Sequence, residues 1–278
     1  MVPKITFVIF TYNEERRIES VITNYQKYGK VLLADGGSTD GTHDIARAHS
    51  CDIFIRPKTD HAFVENSVVM DALYDVLTTE WIFLGYADEL MSKDTLEEVS
   101  TIVNNNNYDA ISINRKNYFY GDYCNDAYKS ANSRFFKVGA YDFTNNFIHG
   151  MGKPTITDDK IYLLPHKYFI HHFIDGTVDS HLSKLNRYTD SEMDSPLKAK
   201  PKTSAFSLLF IITKNLLKNY FFERGYKAGF AALTLAELTI FYELIKNIKA
   251  YEVKEKISDT SIEDKNNTHK VKILRELA

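Results

Sequence analysis

The chain holds only two cysteines in 278 residues, Cys51 and Cys124. They stand far apart and in no metal-ligand spacing, which argues against a disulfide framework and points to a reducing compartment. Charge of one sign is not in excess either. The formal net charge is −3, from 34 basic and 37 acidic residues, so neither nucleic-acid binding nor an acidic tail is expected. The first residues, Met1-Val2-Pro3-Lys4, run straight into a strand-like segment. They lack the charged start, apolar run and small-residue cleavage site of a signal peptide. No stretch reaches the roughly 18 charge-free apolar residues of a membrane span. These absences predict a cytoplasmic protein. What is present is ordinary for a globular chain: 44% hydrophobic and 26% charged residues, with length enough for one large domain or two small ones. Tyrosine and phenylalanine number 18 each; such rings serve core packing more often than ligand stacking.

The first hundred residues alternate. Residues 5–10, 31–34, 52–55 and 81–85 are short apolar runs rich in β-branched and aromatic residues, the pattern of buried strands. Helices are predicted over 14–25, 40–48 and 62–77, and from 92 onward. Strands alternating with helices imply parallel pairing with right-handed crossovers. In such sheets ligands bind beyond the carboxyl ends of the strands. Strands are also expected over 108–114 and 116–120, irregular structure over 121–180, and helix again over 204–251. The stretch 254–278 is polar and charged and reads as a mobile or loosely docked tail.

Three segments follow predicted strands. Asp35-Gly36-Gly37-Ser38-Thr39-Asp40-Gly41-Thr42 places a carboxylate at a strand end, then glycines and hydroxyls that open a helix. The glycines let backbone approach a nucleotide, and Ser38 or Thr39 can cap the helix. A plain strand-turn-helix connection has the same form. It is not a Walker loop, because no Gly-Lys-Ser/Thr follows. Thr11-Tyr12-Asn13-Glu14 offers a ring for base stacking beside short polar groups, or a helix start capped by Asn13. Ala87-Asp88-Glu89 puts carboxylates after an apolar strand. That suits Mg2+ or Mn2+, which take oxygen ligands and share them with a diphosphate; a solvated acidic turn is the alternative.

In Ile9-Phe10-Thr11-Tyr12-Asn13-Glu14-Glu15, in residues 35–42 and in Trp81-Ile82-Phe83-Leu84-Gly85-Tyr86-Ala87-Asp88-Glu89 the chain resembles the GT-A-fold, family 2 inverting glycosyltransferases. Arg115-Lys116-Asn117-Tyr118-Phe119-Tyr120-Gly121, Ser133-Arg134-Phe135-Phe136, 184–189 and 219–229 look like the branch that includes lipopolysaccharide-core β-glucosyltransferases. The resemblance implies an α/β fold: a Rossmann-like, mostly parallel sheet flanked by helices, with a C-terminal helical extension. The implied division is a catalytic domain over 1–200 (donor part about 1–115, acceptor part about 116–200), an amphipathic extension over 201–252 and a tail over 253–278. The implied activity is metal-dependent, inverting transfer from a UDP-sugar to a glycan or lipid-linked glycan in polysaccharide biosynthesis. Thr11, Tyr12 and Glu14 would hold the nucleoside, with Tyr12 against the base. Asp35 would accept from the imide N–H of uracil, and Ser38 and Ala87 would line the donor site. Asp88 would bridge Mn2+ or Mg2+ to the diphosphate, offsetting charge on the leaving group. Arg134 is a candidate phosphate or acceptor contact, with a structural salt bridge as the equal alternative.

The chain departs from the family pattern at three positions. Tyr86 stands where relatives usually carry Asp, and a phenol, ionising near ~10, cannot replace a carboxylate at neutral pH. Asp88 then holds the metal alone or with a helper, for which His172 or His171 is the candidate; paired histidines in an aromatic-rich segment are more often structural. Gly150 stands where the branch has an acid suited to be the general base, leaving His149, Asp158 and Asp159 as alternatives. Glu65 stands where a basic residue is common, which removes a positive charge near the diphosphate. A catalytically weak or inactive nucleotide-sugar-binding or scaffold protein of the same fold is the alternative function. A nucleotidyltransferase would want a Gly-rich basic loop after the first strand, and 11–17 has no glycine.

Between 198 and 228 seven Lys/Arg and one acid, Glu223, interleave with aromatic and aliphatic residues. Such a helix suits an anionic membrane surface, so peripheral contact through 204–250 at the cytoplasmic face of the inner membrane is one expectation. Packing on the catalytic domain or on a second subunit is the other, and oligomerisation stays open. Glu237 and Glu243 within 228–245 argue for a buried helix rather than a span.

Overall fold

The computed structural model describes residues 4–59, 63–123, 130–146, 150–174, 176–194 and 200–276. In chain order the elements of the first part are β1 (Ile5–Thr11), α1 (Ile18–Tyr25), β2 (Lys30–Asp35), α2 (Thr42–Ala48), β3 (Asp52–Ile55), α3 (Ser67–Tyr74), β4 (Trp81–Tyr86), β5 (Glu89–Met91) and α4 (Lys93–Asn105). There follow β6 (Ala110–Phe119), β7 (Asp122–Tyr123), β8 (Ser130–Lys137), β9 (Tyr141–Asp142), β10 (Lys153–Pro154), β11 (Ile161–Leu163) and β12 (Phe169–Phe173). The chain closes with α5 (Val178–Asp194), α6 (Ala205–Leu216), α7 (Gly229–Glu255) and α8 (Asp259–Arg275).

The main sheet runs β3-β2-β1-β4-β8-β6-β12-β5, with β7 and β11 added beside β6. β1 to β4 are mutually parallel, as are β6 and β12, whereas β8 and β5 run antiparallel to their neighbours. This is the α/β class expected: a mostly parallel sheet between helices. Period-two alternation divides the core into two faces. Phe7 and Ile9 of β1, and Trp81 and Phe83 of β4, pack with α1 and α4 on one side. Val8, Phe10, Ile82 and Leu84 pack with Val69, Met70 and Leu73 of α3 on the other. The aromatics do core work here, as in the stacked Phe7–Tyr25 pair at 4.7 Å and the Phe83–Phe135 pair at 4.6 Å.

Differences from the sequence expectation have physical causes. β8 is a central strand inside the stretch expected to be irregular. Phe135 and Phe136 are both fully buried, one on each face, and a strand covered on both faces shows no alternation. The stretch 108–120 holds one strand, Ala110–Phe119, not two. Helix α3 starts only at Ser67, because Asn66 caps it by accepting from the Val69 N–H at 3.1 Å. The segment 254–278 is helical over most of its described part. α8 is a regular helix closed by a Ser258/Ser261 capping box, although no residue of it is buried. Helix α7 also departs from expectation: the stretch Gly225–Glu255 is long and apolar enough to cross a membrane, and only 28% of its most apolar window is buried.

Candidate functional site

Parallel pairing brings the ends of β1, β2, β3 and β4 to one edge of the sheet, and there the loops after β1 and β2 interlock. Asn13 N–H donates to Ser38 Oγ at 2.8 Å, and Thr39 N–H donates back to Asn13 Oδ1 at 2.8 Å. Glu14 N–H donates to Thr42 Oγ1 at 2.7 Å. The Glu15 carboxylate accepts from Gly41 N–H at 2.9 Å. Thr11, Tyr12, Glu14, Asp35 and Ser38 are therefore held in one place. Tyr12 is 59% exposed, its ring free to take a flat ligand.

Asp35 is the hub of this pair of loops. Its side chain has no exposed surface. One oxygen accepts from Thr11 Oγ1 at 2.9 Å and Ser38 Oγ at 2.6 Å. The other accepts from Gly37 N–H at 2.8 Å, Ser38 N–H at 2.7 Å and His43 Nε2 at 2.8 Å. Burial alone would raise its pKa, but the donors of Ser38, His43 and Thr11 prevail and hold it at about 2. A base reaching Asp35 has to exchange one of these five donors. Arg56, at the end of β3, is a site residue that sequence reading missed. Its Nη2 donates to the Thr11 carbonyl at 3.0 Å. A Cβ at position 36 would lie 2.5 Å from that nitrogen and 3.3 Å from the Tyr12 ring, so Gly36 is what lets the guanidinium stand beside the stacking tyrosine. Arg56 Nε is buried and makes no hydrogen bond among the described residues.

Ala87 and Asp88 occupy the turn between β4 and β5. β12 pairs with β5 so that His172 lies opposite Glu89, and Phe173 N–H donates to the Asp88 carbonyl at 2.8 Å. This register sets His172 Nε2 3.4 Å from Asp88 Oδ2. His171, one residue back, turns to the other face and meets the Tyr118 hydroxyl at 2.7 Å. The other ring nitrogen of His172, Nδ1, lies 2.6 Å from Asn117 Oδ1. An amide oxygen only accepts, so Nδ1 carries the proton. In the neutral ring Nε2 then presents a lone pair to a carboxylate, an arrangement that calls for a proton or a cation between them. Asp88 Oδ1 is buried and makes no hydrogen bond among the described residues. Burial pushes the Asp88 pKa up, but His172 and the charges of Arg17 and Arg115 outweigh it and leave it below the ordinary carboxylate value. Among the described residues no group of three or more His, Cys, Asp or Glu is placed to hold a metal. Asp88 and His172 are the residues that would hold a divalent cation here, with oxygen ligands from elsewhere completing its shell.

Arg134 lies beneath this corner, 4% exposed, and not at its surface. Its guanidinium forks onto the Glu89 carboxylate, with Nη1 to Oε1 at 3.0 Å and Nη2 closer still to Oε2, while Nε donates to the Leu84 carbonyl at 2.7 Å. Of the two sequence readings for Arg134, the geometry is that of the buried salt bridge. The Tyr86 ring stacks on the same guanidinium at 5.3 Å.

The general-base candidates are scattered. Asp158 and Asp159 precede β11, and β11 pairs with the start of β6, at the edge opposite Asp88. They are a strand length away, roughly 15–20 Å, so the structure removes both as groups acting at the donor site. His149 lies outside the described residues. Asn146 Nδ2 donates to the Glu65 backbone carbonyl at 2.5 Å and to the Gly150 carbonyl at 3.0 Å, which ties the backbone at Glu65 to that at Gly150. Glu65 is buried, and burial raises its pKa.

The chain matches the family model described as Glycosyl transferase family 2 over residues 6–155, more than half its length. It is 24% identical over 266 residues to an uncharacterized glycosyltransferase of Rickettsia typhi, covering 90% of this chain and 87% of that one. A Rickettsia prowazekii relative with the same description is 24% identical over 277 residues, covering 94% and 91%. Among solved structures, S. aureus TarS 1–349 aligns over 92% of this chain and 93% of that chain, with a TM-score of 0.42 and 11% identity. Glucosyl-3-phosphoglycerate synthase from Mycobacterium tuberculosis, in complex with Mn2+ and UDP-glucose, aligns over 43% of this chain and 44% of that chain, with a TM-score of 0.32 and 19% identity.

Proposed function

Since the chain belongs to glycosyl transferase family 2, we propose that it moves a sugar from a UDP-sugar to a glycan or lipid-linked glycan acceptor, with inversion at the anomeric carbon and with Mn2+ or Mg2+. The observation that carries this reading is the Asp88–His172 corner at the mouth of the interlocked loops after β1 and β2. Tyr12 stacks on the base, and Arg56 beside it donates to a pyrimidine carbonyl. Asp35 keeps both loops in register, and Glu14 and Ser38 hold the loop that receives the ribose. Asp88 and His172 hold the cation, with Asn117 fixing the imidazole tautomer. The cation supplies Lewis-acid stabilisation of the departing nucleoside diphosphate. Arg17 and Arg115, whose charges act on Asp88, supply the positive potential that Glu65 does not.

For the proton acceptor the arrangement favours Glu65. It sits beside Gly150 through Asn146, and a carboxylate whose pKa is raised by burial is suited to take a proton near neutral pH. Glu65→Gln should lower kcat by about 100-fold or more and remove the acidic limb of the pH–rate profile. An unchanged profile would return the role to His149.

The donor reading is tested by thermal unfolding. UDP should raise Tm, and raise it further with Mn2+ than without, by ligand linkage. No shift with any nucleoside diphosphate and metal would remove it. Release of sugar from UDP-glucose, UDP-galactose or their N-acetyl forms would eliminate the scaffold alternative.

A further inference from the structure

Helix α6 carries apolar residues on two opposite faces. Ile211 is buried against the rest of the molecule, whereas Phe206, Leu209, Phe210, Leu217 and Phe221 are exposed. Phe206 with Leu209 and Phe210, then Leu217 with Phe221, stand three, four or seven residues apart, so all five fall on one side of α6 and the π-helical turn Leu217–Phe222, interrupted at Thr213. The stripe runs on into the turn before α7 and the first residues of α7, where more rings face outward: Phe222 is 79% exposed and Phe230 72%. Cations flank it, namely Lys214, Lys218, Arg224 and Lys227, all exposed. The one acid in this stretch, Glu223, lies 3.9 Å from Lys218. The same hairpin continues into the apolar stretch Gly225–Glu255, most of whose window is unburied.

We propose that the α6–α7 hairpin is an in-plane membrane anchor that lays this aromatic stripe into the boundary of an anionic bilayer. An apolar face rimmed by cations matches the acyl boundary below and the phosphate headgroups beside it. A second copy of the chain fits less well. A two-fold contact through this face would bring the same four cations of each copy together. The anchor also has a defined place relative to the site. Ala231, Ala232 and Leu235 of α7 pack on Phe119, at the end of β6, the sheet edge where Asp88 lies. Resting on the transferase reading in this one respect, the arrangement holds the donor site beside the bilayer and favours an acceptor carried on a lipid.

The test is binding of the full chain to vesicles of phosphatidylcholine, alone or with phosphatidylglycerol. Sedimentation with the anionic vesicles should exceed that with neutral ones by 10-fold or more. Phe206→Ser/Phe210→Ser/Phe221→Ser/Phe222→Ser together should abolish it, and Lys214→Glu/Lys218→Glu should weaken it. A second readout does not depend on those multiple variants. The lone tryptophan, Trp81, is fully buried, so brominated lipid should leave the wild-type fluorescence unquenched and should quench Phe222→Trp. Equal binding by the aromatic variant, or no quenching of Phe222→Trp, overturns the anchor. So does a solution dimer that the aromatic variant converts to monomer, since a second copy would then be the occupant. The UDP and Mn2+ thermal shift should be the same in all variants, which separates failure of the anchor from failure of the transferase reading.

Discussion

Asp35 shows how one side chain can organise a site without meeting solvent. Its folded pKa of about 2 lies below its ordinary value, so its contribution to stability is complete above about pH 4 and is lost as pH falls toward 2. Asp35→Asn should cost about 1–3 kcal/mol at neutral pH, and the gap to wild type should close in acid, as read by circular dichroism across pH. Arg134 and Glu89 are a buried pair of another kind. Removing one partner leaves an uncompensated charge, so Arg134→Ala should destabilise by about 3–5 kcal/mol in denaturant unfolding. Tyr12→Ala should leave the fold intact and weaken UDP binding by about 1–3 kcal/mol, the worth of a stacked base, measured by calorimetry. His172→Ala should reduce Mn2+ affinity in the presence of UDP by 10-fold or more while leaving metal-free stability close to wild type.

At the scale of elements, registers decide the chemistry. β12 enters the sheet between β6 and β5, and its alternation gives one histidine to Asp88 and the other to Tyr118. A slip of one residue would exchange them. The cap of α3 is a local determinant: Asn66→Ala should cost about 1 kcal/mol by thermal unfolding, and it would disturb Glu65 directly before it. Helix α8 touches no core, so a chain ending after α7 should keep the Tm and the UDP response of the full chain.

For the whole molecule, the sheet edge collects everything the proposed reaction uses. Charges come from the end of β2, from the segments after β1, β3 and β4, and from β6, with a histidine from β12, and helices stand on both faces. The C-terminal helices join the same edge through Phe119. Charged interactions tie α5 to α7 behind it, as in the contact of Lys249 with Asp190 at 2.6 Å.

The gathering of the strand-end loops was legible in the residues alone. Apolar runs at the right spacing imply strands, parallel strands imply a ligand at their carboxyl ends, and that rule singles out the loops that carry Thr11, Tyr12, Asp35 and Asp88. These are local signals, carried by neighbours in the chain. The central position of β8 was hidden because a strand buried on both faces has no alternating pattern. Arg56 carries no local mark, Arg115 and Asn117 stood in a segment noted for its resemblance and given no role, and Asp158 and Asp159 looked suitable only until the pairing of β11 put them at the far edge. Whether an apolar helix face turns inward or outward is equally invisible along the chain, since Ile211 and Phe210 read alike. Sequence determined which chemistry the loops can offer; tertiary packing alone decided which carboxylate meets which histidine, because that distance is set by strand order and register between residues 84 positions apart.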